Sequence, residues 1–188
     1  IMFVASNKVM NFVVFGLMGI VGFIVLVLIE PYRRARITGW LDPWSDPSDS
    51  GYQIIQSLYA VASGGLFGLG IGQSRQKTFI PESYNDIIFA IICEELGLVG
   101  AVVVIMLFAL LIWRGIKIAM TAKDKYSSYA ATGITTMIAI QVIMNIAVVT
   151  NSMPNTGMPM PFISYGGTSL VVMMASMGLL LNISRDCK

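Results

Sequence analysis

The sequence predicts an all-α fold of the polytopic membrane class. Three observations lead there. Hydrophobic residues make up 56% of the 188-residue chain and charged residues 12%, where a typical soluble domain is about 25% charged; mean hydropathy is +0.77. Four segments approach the roughly 20 apolar residues that cross a bilayer. Lysine and arginine are also distributed unevenly among the connections, as expected of a chain oriented in a membrane.

The first predicted span is 11–29, "NFVVFGLMGIVGFIVLVLI". The second is 87–113, with Glu94 and Glu95 in its outer part and a cleaner apolar stretch over 96–113. The third is 129–150 and contains Gln141 and Asn145; the fourth is 168–183. Lys8, Arg114, Lys117, Lys123, Lys125, Arg185 and Lys188 all fall on one side of this arrangement, and the connection 151–167 on the other side has no charge. The basic side is therefore expected to be cytoplasmic, which makes 30–86 and 151–167 extracellular loops. Arg33, Arg34, Arg36, Arg75 and Lys77 run against this assignment, but they lie in a long loop where the rule weighs less, and Glu30, Asp42, Asp46, Asp49 and Glu82 offset them.

Inside the large loop, "WLDPWSDPSDSGY" is rich in Pro, Asp and Ser and reads as turns, with Ser50 placed to cap the next segment. That segment, 52–63, puts Ile54, Leu58 and Val61 on one face and the glutamines off it. Such a pattern suits a helix lying in the membrane interface. Trp40, Trp44, Tyr52 and Tyr59 fit an interfacial aromatic belt.

Composition also excludes chemistry. There is no histidine, which removes the usual general base and the usual transition-metal ligand. Acid–base work must then fall to Asp, Glu, Lys, Tyr or Cys. Cys93 and Cys187 lie far apart with no CxxC spacing, and read as an apolar thiol and a tail thiol. A net charge of +2 does not suggest nucleic acid as a partner. No metal site is expected from the residue pattern.

Four stretches bear on function. "GGLFGLGIG", 64–72, has glycine spacing of the phosphate-loop kind but lacks the preceding strand and a following GK[ST]. Close packing of a bent loop beside membrane helices explains it better. "QSRQK", 73–77, supplies Arg75 and Lys77. They would anchor the loop to lipid phosphates or grip a substrate pyrophosphate. In "PESYNDIIFAIICEELG", 81–97, Asp86 stands where loop becomes span, either as a helix N-cap or as a carboxylate within reach of a substrate hydroxyl. Glu94 lies eight residues on, about 12 Å deeper at the helical rise. Glu94 and Glu95 are expected to be structural intramembrane carboxylates, paired with groups from other helices. Finally, "MPNTGMPMPFISYGGTS", 153–169, has three prolines and no charge. It is a surface turn or a re-entrant loop lining a cavity, where Asn151, Asn155, Thr156, Ser164 and Tyr165 would offer neutral hydrogen bonds suited to a sugar.

"GLGIGQSRQKTFIPESYNDIIFAIICEELGLVGA" and "MPNTGMPMPFISYGGTSL" closely resemble signatures of the SEDS family, which includes the FtsW, SpoVE and RodA proteins. "RRARITGWLDPWSDPSDSGYQIIQSLYAVASGGLFGLG" resembles the FtsW/SpoVE branch. The resemblance implies a fold of about ten membrane helices, of which this chain would supply the last four as the C-terminal part of a single membrane domain. It implies a peptidoglycan glycosyltransferase that polymerises lipid II beside a class B penicillin-binding protein, in a bacterial cell membrane, with its active site on the extracellular face.

Asp86 inherits the catalytic position, as general base on the acceptor 4-hydroxyl. Arg75, Lys77, Glu82, Asn155, Ser164, Tyr165, Gly166 and Gly167 are expected to bind substrate. No cofactor is assigned, and a divalent cation, magnesium or manganese, is the one left open. Two other readings stand beside this one: a lipid II flippase, and a non-catalytic scaffold for a penicillin-binding protein. The 188 residues are expected not to fold alone, because Glu94, Glu95 and Gln141 would lack partners.

Overall fold

A computed structural model describes residues 29–48, 51–76 and 86–186, together with residues 14, 16–19, 21, 22 and 26. Among the described residues the regular structure is helical, and three helices are long and apolar enough to cross a membrane. Much of the predicted span 11–29, with Ser50, Lys77, Glu82, Cys187 and Lys188, lies outside the described residues.

Helix α1, Pro31–Leu41, begins with Pro in its first turn, where the missing N–H costs nothing. The sequence pattern places this stretch inside the loop, and the structure makes it a helix. Helix α2, Tyr52–Ser63, has the bounds that its periodicity predicted, and it buries Ile54, Ile55, Ser57 and Ala60. The turn before it is tied back by Trp44, whose ring meets Tyr59 edge-on at 6.1 Å.

Helix α3, Ile88–Thr121, corrects the predicted second span. It continues eight residues past 113, and the basic stretch expected to be a loop is largely its last turns. Lys117 lies 6.0 Å from the Trp113 ring, holding its charge against an aromatic face at the helix end. Only 122–124 separate α3 from α4, Lys125–Val149. Asp124 caps α4, accepting from the Ser127 N–H at 3.2 Å and the Ser127 hydroxyl at 2.6 Å. Helix α5, Gly167–Asp186, closes the chain as predicted to within a few residues.

Packing follows the small residues. Helix α3 packs most extensively against α4 and less so against α2, while α5 is attached more loosely. At Gly115 a Cβ would overlap the Thr135 side chain, so the glycine sets the approach of α3 to α4. The core gathers Ala60, Phe89, Ala90, Ala101, Phe108, Ile138, Val142 and Met160. Leu98, Val102, Val103, Met106, Leu107 and Leu110 of α3 stay exposed, an apolar face suited to lipid or to further helices.

The helix α3 is broken at Gly97, where φ is 66° and ψ −167°. A broken helix at membrane depth needs other partners for its backbone, and the glycine loop supplies them. Leu69 N–H donates to Glu94 O at 2.9 Å and Gly70 N–H to Glu95 O at 3.0 Å; in return Leu98 N–H donates to Gly65 O at 2.9 Å and Val99 N–H to Leu66 O at 3.2 Å. The glycines make the approach possible. A Cβ on Gly64 would overlap the Cys93 carbonyl, and one on Gly68, whose φ is 78°, would overlap that of Glu95. The packing reading of "GGLFGLGIG" is what the structure displays.

Candidate active site

Asp86 sits in the turn that enters α3. The N-cap position belongs to Ile87 rather than to Asp86, and no side chain caps it. Opposite lies the connection from α4 to α5. Its prolines and its lack of helical geometry over 150–166 match the predicted irregular loop. A Cβ placed on Gly157 would lie 3.4 Å from Asp86 Oδ2, and Gly157 has φ 67°. The Asp86 carboxylate therefore faces a stretch of backbone that carries no side chain.

Separate polar contacts hold this loop from different elements. Trp40 Nε1 of α1 donates to Asn151 O at 3.0 Å, and Arg36 Nη1 to Asn155 O at 3.2 Å. Asn155 Nδ2 donates to Gln53 Oε1 of α2 at 2.6 Å, while its Oδ1 accepts from Gly157 N–H at 3.0 Å. Asn145 Nδ2 of α4 donates to Asp86 O at 2.8 Å and to Met158 O at 3.0 Å. Within the loop, the buried Ser164 hydroxyl accepts from Met160 N–H at 2.7 Å. Asn155 and Ser164, expected to face a sugar, thus make hydrogen bonds that shape the loop.

A cavity of about 410 Å³ opens beside the start of α3, lined by Ile88, Leu170 and residues 162–167. Tyr165, Gly166 and Gly167 lie on its wall, with Tyr165 82% exposed. Phe162 at its lip has φ 63°. That left-handed backbone is unfavourable for a bulky residue and persists only where the surroundings impose it.

Glu94 occupies a different setting. It is fully buried. Its carboxylate accepts from the Ser74 hydroxyl, from Arg75 N–H at 3.1 Å and from Gln76 N–H at 3.4 Å. The expected partners from another helix are replaced by the chain's own upstream loop. The Arg75 side chain is exposed, and its backbone N–H is tied to the Glu94 carboxylate. Glu95 is half-buried and joins the loop through its carbonyl. Lys77 and Glu82 lie outside the described residues. Sequence reasoning singles out Asn145 as a polar residue in an apolar span but gives it no role; its partners come from two distant segments, which no local pattern displays.

The family model described as a cell cycle protein, covering FtsW, RodA and SpoVE, matches residues 1–188. The chain belongs to this family. It is 57% identical over 184 residues to stage V sporulation protein E of Bacillus subtilis (strain 168), covering 97% of this chain and 50% of that protein. It is 43% identical over 184 residues to the probable peptidoglycan glycosyltransferase FtsW of Geobacter sp. (strain M18), again over 97% of this chain and 50% of the relative. The chain spans about half the length of these curated relatives. Among solved structures, one described as the structural coordination of polymerization and crosslinking by a peptidoglycan synthase complex aligns at a TM-score of 0.73 and 29% identity, over 99% of this chain and 52% of that one. The rod shape determining protein RodA of Thermus thermophilus aligns at 0.54 and 33% identity, over 70% of this chain and 39% of its own. The chain is thus part of an all-helical, multi-pass membrane protein of the SEDS kind.

Proposed function

We propose that the protein containing this chain polymerises lipid II into peptidoglycan strands, on the extracellular face of the membrane and in complex with a class B penicillin-binding protein. The observation that carries this reading is the Asp86 carboxylate, placed at the entrance of a membrane helix against the bare backbone of Gly157, while Ile88, two residues on, lines an open cavity. The names of the FtsW relatives and of the synthase complex support it.

In the proposed reaction, Asp86 takes the proton from the 4-hydroxyl of the acceptor GlcNAc. The hydroxyl oxygen forms a bond to the anomeric carbon of the donor MurNAc. The bond from that carbon to the pyrophosphate oxygen breaks, and undecaprenyl pyrophosphate departs with the electron pair. General-base assistance of this type contributes about 10²–10⁴-fold. Arg75, whose backbone N–H is tied to the Glu94 carboxylate, is assigned with Lys77 to the substrate pyrophosphate, and Glu82 to substrate binding. Tyr165, Gly166 and Gly167 would border the sugar, while Asn155 and Ser164 would shape that wall. A magnesium or manganese ion, where one is used, would be carried mainly by substrate phosphates with one or two carboxylates.

The test is polymerisation of lipid II in detergent by the full-length protein with its penicillin-binding partner, transpeptidation blocked. Asp86→Asn keeps the shape and removes the base. Its rate should fall about 10²–10⁴-fold with the complex intact. Polymer at the wild-type rate from Asp86→Asn would remove Asp86 from the chemistry. No polymer from a folded wild-type complex would favour transport or scaffolding instead.

A further inference from the structure

Asn145 is 1% exposed, buried near the C-terminal end of α4. Its one amide nitrogen serves two carbonyls from opposite walls of the site, Asp86 O at 2.8 Å and Met158 O at 3.0 Å. Its Oδ1 is buried with no hydrogen-bond partner among the described residues. A buried idle acceptor is unfavourable, so the two donors are what the position requires. The amide orientation is fixed as well, because the flipped form would set oxygen against two oxygens.

The two carbonyls are informative. Asp86 O precedes the first helical turn of α3, whose earliest hydrogen bond is Ala90 N–H to Ile87 O, so the α3 ladder does not claim it. Met158 directly follows Gly157, whose open Cα face looks onto Asp86 Oδ2. The amide thus sets the distance between the carboxylate and the loop without touching either reacting group. Trp40, Arg36 and Gln53 hold the far part of the loop, while Asn145 ties the Met158 carbonyl to that of Asp86.

We propose that Asn145 is a positioning residue of the catalytic centre, holding the Asp86 turn and the Gly157–Met158 backbone in one register through a single amide. This inference rests on Asp86 being the general base. Displacing a reacting group by about 1 Å costs on the order of 10²-fold in rate, so the contact governs turnover more than affinity.

The experiment uses the full-length complex and lipid II, with Asn145→Asp, Asn145→Ser and Asp86→Asn measured together. Asn145→Asp keeps the shape and, when ionised, presents only acceptors to the two carbonyls. It should lose roughly 30-fold or more in kcat with KM within about twofold. Lowering the pH should raise its activity relative to wild type, since the protonated acid regains one donor. Asn145→Ser keeps a shorter donor, reaches one carbonyl, and should lose about tenfold in kcat. Folded fraction is read in parallel from thermal unfolding and from retention of the penicillin-binding partner. Full kcat in either variant, a loss that simply follows the folded fraction, or a change confined to KM would overturn the proposal. The two readings separate cleanly. If Asp86→Asn retains the wild-type rate, the assignment of the base has failed; if it is inactive while Asn145→Asp keeps full kcat, only the positioning role has failed.

Discussion

Asp86, in the turn before α3, and Glu94, within it, stand eight residues apart, and they meet opposite surroundings. Glu94 is sealed, with three donors from 74–76 closing over it and the glycine loop wedged into the helix break just beyond. Asp86 is half-buried at the helix entrance, with its carboxylate beside Gly157. A carboxylate closed over by donors of a fixed loop serves as an anchor. One at a boundary with water and room for a ligand can exchange a proton with it. Residue type is nearly the same in the two places, and under the proposed function the difference in surroundings separates an anchor from a reactive group.

The comparison can be broken first at the helix break. Gly97→Val places a β-branched side chain at φ 66°, where even a Cβ would overlap the Leu66 and Gly68 backbone. The expected loss is on the order of 4 kcal/mol, read as a lowered unfolding temperature of the full-length protein in detergent. Glu94→Ala comes next. It leaves the Ser74 hydroxyl and two backbone N–H groups without their acceptor, for a loss of about 3 kcal/mol. Glu94→Gln keeps one acceptor oxygen and should lose roughly half as much. Limited proteolysis within 64–76 should follow the same order, with activity per folded molecule largely retained in Glu94→Gln. An inactive but fully stable Glu94→Gln would erase the distinction between the anchor and the reactive group.

The smallest effect lies at the other end of α3. The Ser127 hydroxyl, and then the Ser127 N–H, hold the Asp124 carboxyl below the usual carboxylate range, against a weak opposing effect of burial. A group whose folded pKa is depressed stabilises above its unfolded pKa and loses that contribution as pH falls through the folded value. Asp124→Ala should therefore be slightly less stable than wild type at neutral pH, and the gap should close in acid. A gap that persists unchanged at low pH would show that the cap acts without its charge.

How much of this was legible in the sequence varies with the range of the interactions. Helix α2 was readable to the residue because its periodicity is local, and the irregular 150–166 segment was readable because proline forbids a helix there. Helix α1 was missed since its neighbours are rich in turn residues and its own pattern is weak. The overrun of α3 to Thr121 was missed because basic residues suggested a loop, although lysine and arginine are good helix formers. The Gly97 break, the closure of 74–76 over Glu94 and the double donation by Asn145 all depend on segments distant in sequence. The composition hinted that polar groups needed partners there but could not name them.

The break at Gly97 also bears on how the protein is made. A continuous apolar helix can enter the bilayer satisfied by its own ladder. Helix α3 cannot, because the carbonyls of Glu94 and Glu95 and the N–H groups of Leu98 and Val99 are completed by residues 65–70. Synthesis delivers those residues first. The glycine segment must therefore be waiting at the membrane when α3 arrives, and lateral entry of the helix and docking of the segment become one event. A deletion in 64–72 would leave the backbone groups at the α3 break without their partners and is expected to lower the yield of inserted protein.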